Sequence, residues 1–168
     1  KSNTIKERAE LIGVVMQNPN QMISKPMIYD EVALGLRLRH VPEDQIAARV
    51  EKALGVCGLA PFKDWPISAL SYGQKKRVTI ASILVLRPNI LILDEPTLGL
   101  SPLMRQEVAR VTRTINRSGT SIILVEQDAR MALRISQRGI VMQTGRVVMQ
   151  GTSLDLLNDP ALQEGYLG

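Results

Sequence analysis

The residues with the plainest chemical potential are two neighbouring carboxylates, Asp94 and Glu95, which follow the apolar run Ile90-Leu91-Ile92-Leu93 and precede Pro96. An apolar tetrad of this kind reads as a strand buried on both faces. A strand that ends in acids presents them at the carboxyl edge of a sheet, where open α/β proteins bind ligands. There the first acid can hold Mg²⁺ through its water shell. The second can accept a proton from an attacking water, work that contributes roughly 10²–10⁴-fold in rate. The plainer account of the same residues is an ordinary strand end with two acids beside a turn proline.

A second group, Leu70-Ser71-Tyr72-Gly73-Gln74, ends twenty residues before Asp94 and leads into Lys75-Lys76-Arg77. Backbone N–H groups at a helix start, joined by a serine hydroxyl and by a glycine that permits close approach, form an anion site. Taken alone, the pentapeptide reads more readily as a capped helix start. Its place ahead of the two acids is what gives the anion reading weight.

The elements that must hold these groups alternate. Leu11 to Met16 is a short apolar run that empties into the polar cluster Gln17-Asn18-Pro19-Asn20-Gln21, and reads as a buried strand followed by a loop. Tyr29 to Arg39 has a mixed helical pattern. Pro42-Glu43-Asp44 opens a clearer helix through Ile46, Val50, Leu54 and Cys57, stopped by Gly58. Pro61 to Pro66 is turn-rich, with Trp65 as an anchor in a packed interface. The helix from Gly73 ends before Pro88, and the Ile90 strand follows. A helix from Pro102 to Arg117 leads to a second buried strand at Ile122–Val125, and a helix from Asp128 to Ser136 leads to strands 139–143 and 146–150. The two-residue Thr144-Gly145 link between those strands marks a hairpin. Thr152-Ser153 caps a short terminal helix, which Asn158-Asp159-Pro160 breaks before a last turn. Strands alternating with helices predict an α/β fold with a largely parallel core sheet, and the stretch from about 20 to 86 carries no strand signal.

Composition narrows the function classes. The 168 residues are 45% hydrophobic and 22% charged, as in an ordinary globular domain. Aromatics make up 3%, too few for a platform that stacks single-stranded nucleic acid. The net charge of +5 suits anionic ligands, and most of the basic residues are expected on a solvated surface. Cys57 is the only cysteine, which excludes an intramolecular disulfide and a cysteine metal cluster. It reads as a buried thiol, and His40, beside Pro42, as a surface residue. No apolar run approaches the roughly 18 residues that span a bilayer, and the polar start is unlike a signal peptide.

Together these residues resemble the ATP-binding cassette (ABC) family. Leu70 to Gln74 is similar to that family's signature motif, with Tyr72 where the first glycine usually stands. Ile90 to Glu95 is similar to its Walker B strand, and Gln17 to its Q-loop glutamine. The order and spacing match over essentially the whole chain. The resemblance implies a P-loop NTPase-like parallel core sheet with an inserted helical signature subdomain: residues about 20–86 form the insert, and 1–19 with 87–168 the core. It implies ATP hydrolysis coupled to transport, with ATP and Mg²⁺ as cofactors. Glu95 and Gln127 take the catalytic positions, and Asp94 and Gln17 the metal positions. Leu70, Ser71, Tyr72, Gly73, Gln74 and Ser101 take the nucleotide-binding ones. The implied partners are transmembrane permease subunits, a second ABC ATPase subunit in a homo- or heterodimer, and a substrate-binding protein, with no nucleic acid. The implied location is the cytoplasmic face of the plasma membrane.

Within the family the resemblance is mixed. From Gly13 to Thr97, Gln17-Asn18-Pro19-Asn20 and the stretch Phe62 to Leu70 resemble energy-coupling-factor importers for vitamins and metal ions. From Leu98 onward, Leu98-Gly99-Leu100-Ser101-Pro102, Val125-Glu126-Gln127 and Tyr166-Leu167-Gly168 resemble branched-chain amino acid importers. Ser101 stands where the family's D-loop usually has aspartate. Gln127 stands at the switch histidine, where an amide can donate a hydrogen bond but carries no charge. No G-x-x-x-x-G-K-[ST] occurs, and only fifteen residues separate Lys1-Ser2, which imitates its end, from Gln17. The expectation is an N-terminally truncated cassette, inactive alone but able to complete a partner's site. The competing readings are a soluble cassette protein acting on ribosomes or DNA, and a folded interaction module without activity.

Overall fold

The three apolar runs within the first 125 residues pair as parallel strands in the computed structural model, which describes residues 11–166. Strands β1 (Ile12–Val15), β2 (Ile90–Asp94) and β3 (Ser121–Val125) lie in the order β1-β2-β3. Ile12 stands opposite Ile90, and Ile90 opposite Ser121, so the strand ends that carry Asp94 and Val125 are level. Leu91 and Leu93 are fully buried on one face of this sheet. The other face departs from the expectation of strands buried on both sides: Val14, Ile123 and Val125 are each about half exposed. Among the described residues no element of the first unit covers that face, so alternation decides which side chains reach the core.

Between β1 and β2 the chain is helical, with one isolated bridge between Met27 and Pro66. Helix α1 (Ile28–Leu38) carries Asp30 and Glu31 in its first turn, and α2 (Glu43–Val56) carries Glu43 and Asp44, acids that suit the positive end of a helix dipole. Helix α3 (Tyr72–Leu84) packs against α1, α2 and β1. Its residues from Lys76 to Ala81 are all buried, so it forms the axis of the first unit's core. The burial of Lys76 and Arg77 corrects the expectation of a solvated charge run. The middle of α3, from Lys76 to Ala81, is enclosed, and the guanidinium of Arg77 donates to the carbonyl oxygens of Cys57 (2.9 Å) and Gly58 (3.3 Å) at the end of α2. Those carbonyls have no partner within their own helix. Trp65 is 47% exposed and meets the edge of Phe62 at 5.0 Å between ring centroids. Helix α4 (Pro102–Arg117) then leads into β3.

A second compact unit begins at Glu126. It holds α5 (Ala129–Ile135), the antiparallel strands β4 (Arg138–Gln143) and β5 (Arg146–Thr152), and the short helices α6 (Ser153–Asn158) and α7 (Pro160–Tyr166). Thr144 and Gly145 both have positive φ, 49° and 75°, as a two-residue turn matching the strand twist requires. The stretch after Pro160 is a seven-residue helix where a turn was expected; proline at its start has φ pre-set for a helix and gives up an N–H that has no partner there. Leu133, Leu156 and Leu162 form this unit's small core. No helix among the described residues is long and apolar enough to cross a membrane.

Cys57 is fully buried, and burial pushes its thiol up to about 12. A raised folded pKa leaves stability unaffected below the thiol's unfolded value, and stability falls as pH rises from there toward the folded value. We expect Cys57 to be inert to an aromatic disulfide reagent at pH 8 in the folded protein and to react fully once urea unfolds it. Urea titrations should show midpoints that fall between pH 9 and 11 in the wild type and fall less in Cys57→Ala. Rapid labelling without denaturant would contradict this burial.

Candidate functional site

Glu95 is fixed at three points. Its N–H donates to the carbonyl of Val125 at 2.9 Å, which continues the β2–β3 pairing one residue beyond Asp94. Its carbonyl accepts from the Lys76 ammonium at 2.7 Å and from the Leu98 N–H at 3.2 Å. Its carboxylate accepts from Nε2 of Gln17 at 2.7 Å. The backbone of Glu95 has φ of 42°, a left-handed conformation that costs a side chain with a Cβ about 1–2 kcal/mol. The strain turns the chain sharply as β2 ends, so that Asp94 and Glu95 do not simply alternate across the sheet. Pro96 and Thr97 are buried behind this turn, and the Leu100 N–H closes onto the Thr97 carbonyl.

Gln17 reaches the site because β1 and β2 run side by side in parallel and finish level, with Val15 opposite Leu93. The loop after Gln17 is itself held. Asn18 caps the short turn Pro19–Gln21. The buried carboxylate of Glu31 accepts from the N–H groups of Ser24 (2.9 Å) and Lys25 (2.8 Å), and from the Ser24 hydroxyl (3.3 Å). Asp94 is exposed at the strand end and makes no hydrogen bond or ion pair among the described residues. With the Gln17 amide nitrogen committed to Glu95, the amide oxygen is the ligand-type atom left beside it. No group of three acids, histidines or cysteines among the described residues forms a closed metal cage. One exposed carboxylate and one amide oxygen instead fit a magnesium ion whose remaining ligands are water and phosphate.

The predicted anion site at the start of α3 is built as a capping box. The Ser71 hydroxyl accepts from the Gln74 N–H at 3.3 Å, and the Ser71 N–H donates to the Gln74 side chain at 2.9 Å. Leu70 is buried beneath it and Tyr72 is 41% exposed. A Cβ on Gly73 would sit 3.1 Å from the Met104 sulfur, so the glycine lets α4 approach the start of α3. Ser101 caps α4, its hydroxyl accepting from the Met104 N–H at 3.5 Å. Tyr72, in the place of a glycine, lies beside Gly99 and under the Lys76 ammonium, which is 5.6 Å from the ring centroid. The structure therefore groups Gln17, Asp94 and Glu95 at the sheet edge, and Leu70–Gln74 with Ser101 across Gly73 and Met104. Gln127 is an exposed residue of the second unit, in the loop leading to α5.

Sequence reasoning missed Lys76 and Glu31. Lys76 falls on the turn of α3 that also carries buried Val78 and Thr79, and only the helix's complete burial assigns it a partner. Glu31 lies in the Tyr29 to Arg39 stretch, read only as a mixed helical pattern.

Comparison with known proteins agrees with this geometry. Residues 1–98 match the model of the ABC transporter family. A Clostridium perfringens protein with the provisional name ABC transporter ATP-binding protein is 52% identical over 161 residues, covering 96% of this chain and 28% of the relative. A Lactobacillus johnsonii protein of the same provisional name is 51% identical over 159 residues, covering 95% and 28%. The solved structure of CbiO1 from Clostridium perfringens, described as part of the ABC transporter complex CbiONQ, superposes with a TM-score of 0.86 at 36% identity, over 95% of this chain and 64% of that one. A parallel sheet ending in Asp94 and Glu95, with a capped helix start packed beside it, is the α/β architecture of an ABC ATPase. The chain belongs to the ABC transporter family, and it spans about 28% of the length of these curated relatives.

Ser71→Ala removes the cap of α3 and should cost about 1 kcal/mol in urea unfolding. Ser71→Asp, which keeps an acceptor at the cap and complements the helix dipole, should recover most of that loss. Equal stabilities for all three proteins would rule out the capping box.

Proposed function

We propose that this chain supplies part of an ATP-hydrolysing site in an ABC importer, coupling hydrolysis to uptake through transmembrane permease subunits. The observation that carries the reading is the 2.7 Å contact from Gln17 to Glu95, made while the Glu95 backbone is held by Val125, Lys76 and Leu98. Immobilising a carboxylate at three points suits a base that must meet one water in one orientation. In this proposal Glu95 takes the proton of the attacking water. Asp94 and the Gln17 amide oxygen would hold Mg²⁺, which would supply positive charge to offset that on the phosphate oxygens. Leu70, Ser71, Tyr72, Gly73 and Gln74, with Ser101, face the nucleotide of a second ATPase subunit in a homo- or heterodimer, where the start of α3 offers backbone N–H groups to an anion. Gln127 donates a neutral hydrogen bond toward the terminal phosphate.

The 168 residues contain no glycine-rich lysine loop, so the phosphate-holding lysine comes from outside them. The division into a helical part, about 20–86, and a core part, 1–19 with 87–168, assigns the first to docking. The segment from Gln17 to Glu31, pinned by the Glu31 carboxylate, is the surface for the permease at the cytoplasmic face of the membrane. The description of CbiO1 as part of a transporter complex supports membrane partners, with a substrate-binding protein as a further component. The importer direction rests on the two importer-like sequence stretches.

The test uses the protein with a phosphate-binding loop present, either on its own longer chain or supplied by a partner subunit. Glu95→Gln should lower ATP turnover by at least 10²-fold while ATP binding survives, because the amide fills the same space without accepting a proton. Turnover within threefold of wild type would reject the assignment of Glu95. Recovery of the protein with a membrane subunit supports the transporter reading, and recovery with ribosomes or DNA overturns it.

A further inference from the structure

At the opposite end of the sheet from Asp94, roughly 15 Å away along β2 at strand spacing, the first unit has an open groove of about 700 Å³. Among the described residues its rim carries three cations and no acid: Arg49, Lys52 and Arg87. Arg49 and Lys52 are three residues apart on α2, so they share a face. Arg87 projects from the segment that joins α3 to β2. Among the described residues none of the three side chains has a hydrogen bond or ion pair, and Glu51, which lies between Arg49 and Lys52 in sequence, pairs with Lys63 at 3.3 Å. Where this protein sets an arginine among acids it pairs it, as Arg37 with Glu43 and Asp30. Here it brings like charges together and leaves them uncompensated, an arrangement that repels itself until an anion enters.

The interior of the groove is of a different kind. Ala53, Val85 and Pro88 are buried in its floor, and Val56, Leu84 and Ile90 are half-buried around them. The wall opposite α2 is rigid, because the Ser121 N–H donates to the Asn89 carbonyl at 2.9 Å and the Asn89 N–H to that of Leu11 at 2.9 Å. The Asn89 side chain and the hydroxyls of Thr120 and Ser121 face the groove with no partner among the described residues. Arg87 has φ of 58°, a conformation glycine takes freely and a long side chain takes at a cost. A glycine would serve the turn better, so it is the cation that distinguishes this position. A cationic rim, unpaired polar groups and an apolar floor within the volume of a small-molecule site describe a ligand with an anionic head and an apolar body.

We infer that this groove binds an organic phosphate, its phosphate held by Arg49, Lys52 and Arg87 and its apolar part seated on Val56, Leu84 and Ile90. The site is separate from the carboxylate end of the sheet and does not depend on the reading given there. Phenyl phosphate is a suitable probe, with inorganic phosphate and phenol as its two halves. Titrated into isotope-labelled protein, phenyl phosphate should shift the amides of Ala53, Asn89, Gly119 and Thr120, and should bind at least fivefold more tightly than inorganic phosphate. Phenol should leave those amides unmoved. Arg49→Gln with Lys52→Gln, and separately Arg87→Asn, whose side chain tolerates the left-handed backbone, should each weaken binding at least tenfold with the thermal midpoint unchanged. Two independent variants keep the measurement decisive if one of them unfolds. Shifts confined to Ser71–Gln74, equal binding by phenol, or unaltered affinity in both variants would overturn the site. Inorganic phosphate binding as tightly as phenyl phosphate would overturn its organic ligand.

Discussion

The contact on which the functional end of the first unit depends is the one between the Lys76 ammonium and the Glu95 carbonyl. An ammonium taken out of water costs several kcal/mol unless its donors are used. Lys76 is 3% exposed, so its bond to the turn after β2 helps to offset that cost. The same carbonyl closes that turn through Leu98, so one oxygen joins the central helix, the central strand and the loop leading to Ser101. The same helix begins at the capping box of Ser71 and Gln74, so α3 is the element that connects the two groups singled out for their chemistry.

Much of the fold was legible because it follows from local rules. The tetrads at Ile90 and Ile122 could only be strands, Thr144-Gly145 could only be a tight turn, and serine three residues ahead of glutamine announced the cap of α3. What stayed hidden was pairing at long range. The Gln17–Glu95 hydrogen bond spans 78 residues, and no periodicity encodes it; the Q-loop resemblance pointed to Gln17 without giving its partner. Lys76 and Glu31 were passed over because a charge is assigned to solvent by default, and only the packing of neighbouring helices reveals a buried one with its partners arranged. The exposure of Val14, Ile123 and Val125 was missed for the converse reason. A continuous apolar run states that a strand can be covered on both faces, and what covers it is a matter of tertiary structure.

The two ends of the sheet are built from different materials. At the carboxyl end the groups are acids and a polar amide, held rigid by hydrogen bonds to the backbone. At the amino end they are cations on exposed stems above an apolar floor. Helix α3 touches both, with Ser71 at one terminus and Leu84 at the other. The match to CbiO1 at a TM-score of 0.86 covers 95% of the chain, so the frame connecting these ends belongs to the family fold.

The left-handed backbone at Glu95 bears on how such a protein can be engineered and on how it drifts. A programme selecting only for thermal stability would find Glu95 an inviting target, since glycine or asparagine accepts that conformation with less strain. The gain would come from removing the one side chain that Gln17 is placed to meet. Greater stability and preservation of the Gln17–Glu95 contact therefore pull in opposite directions at this residue.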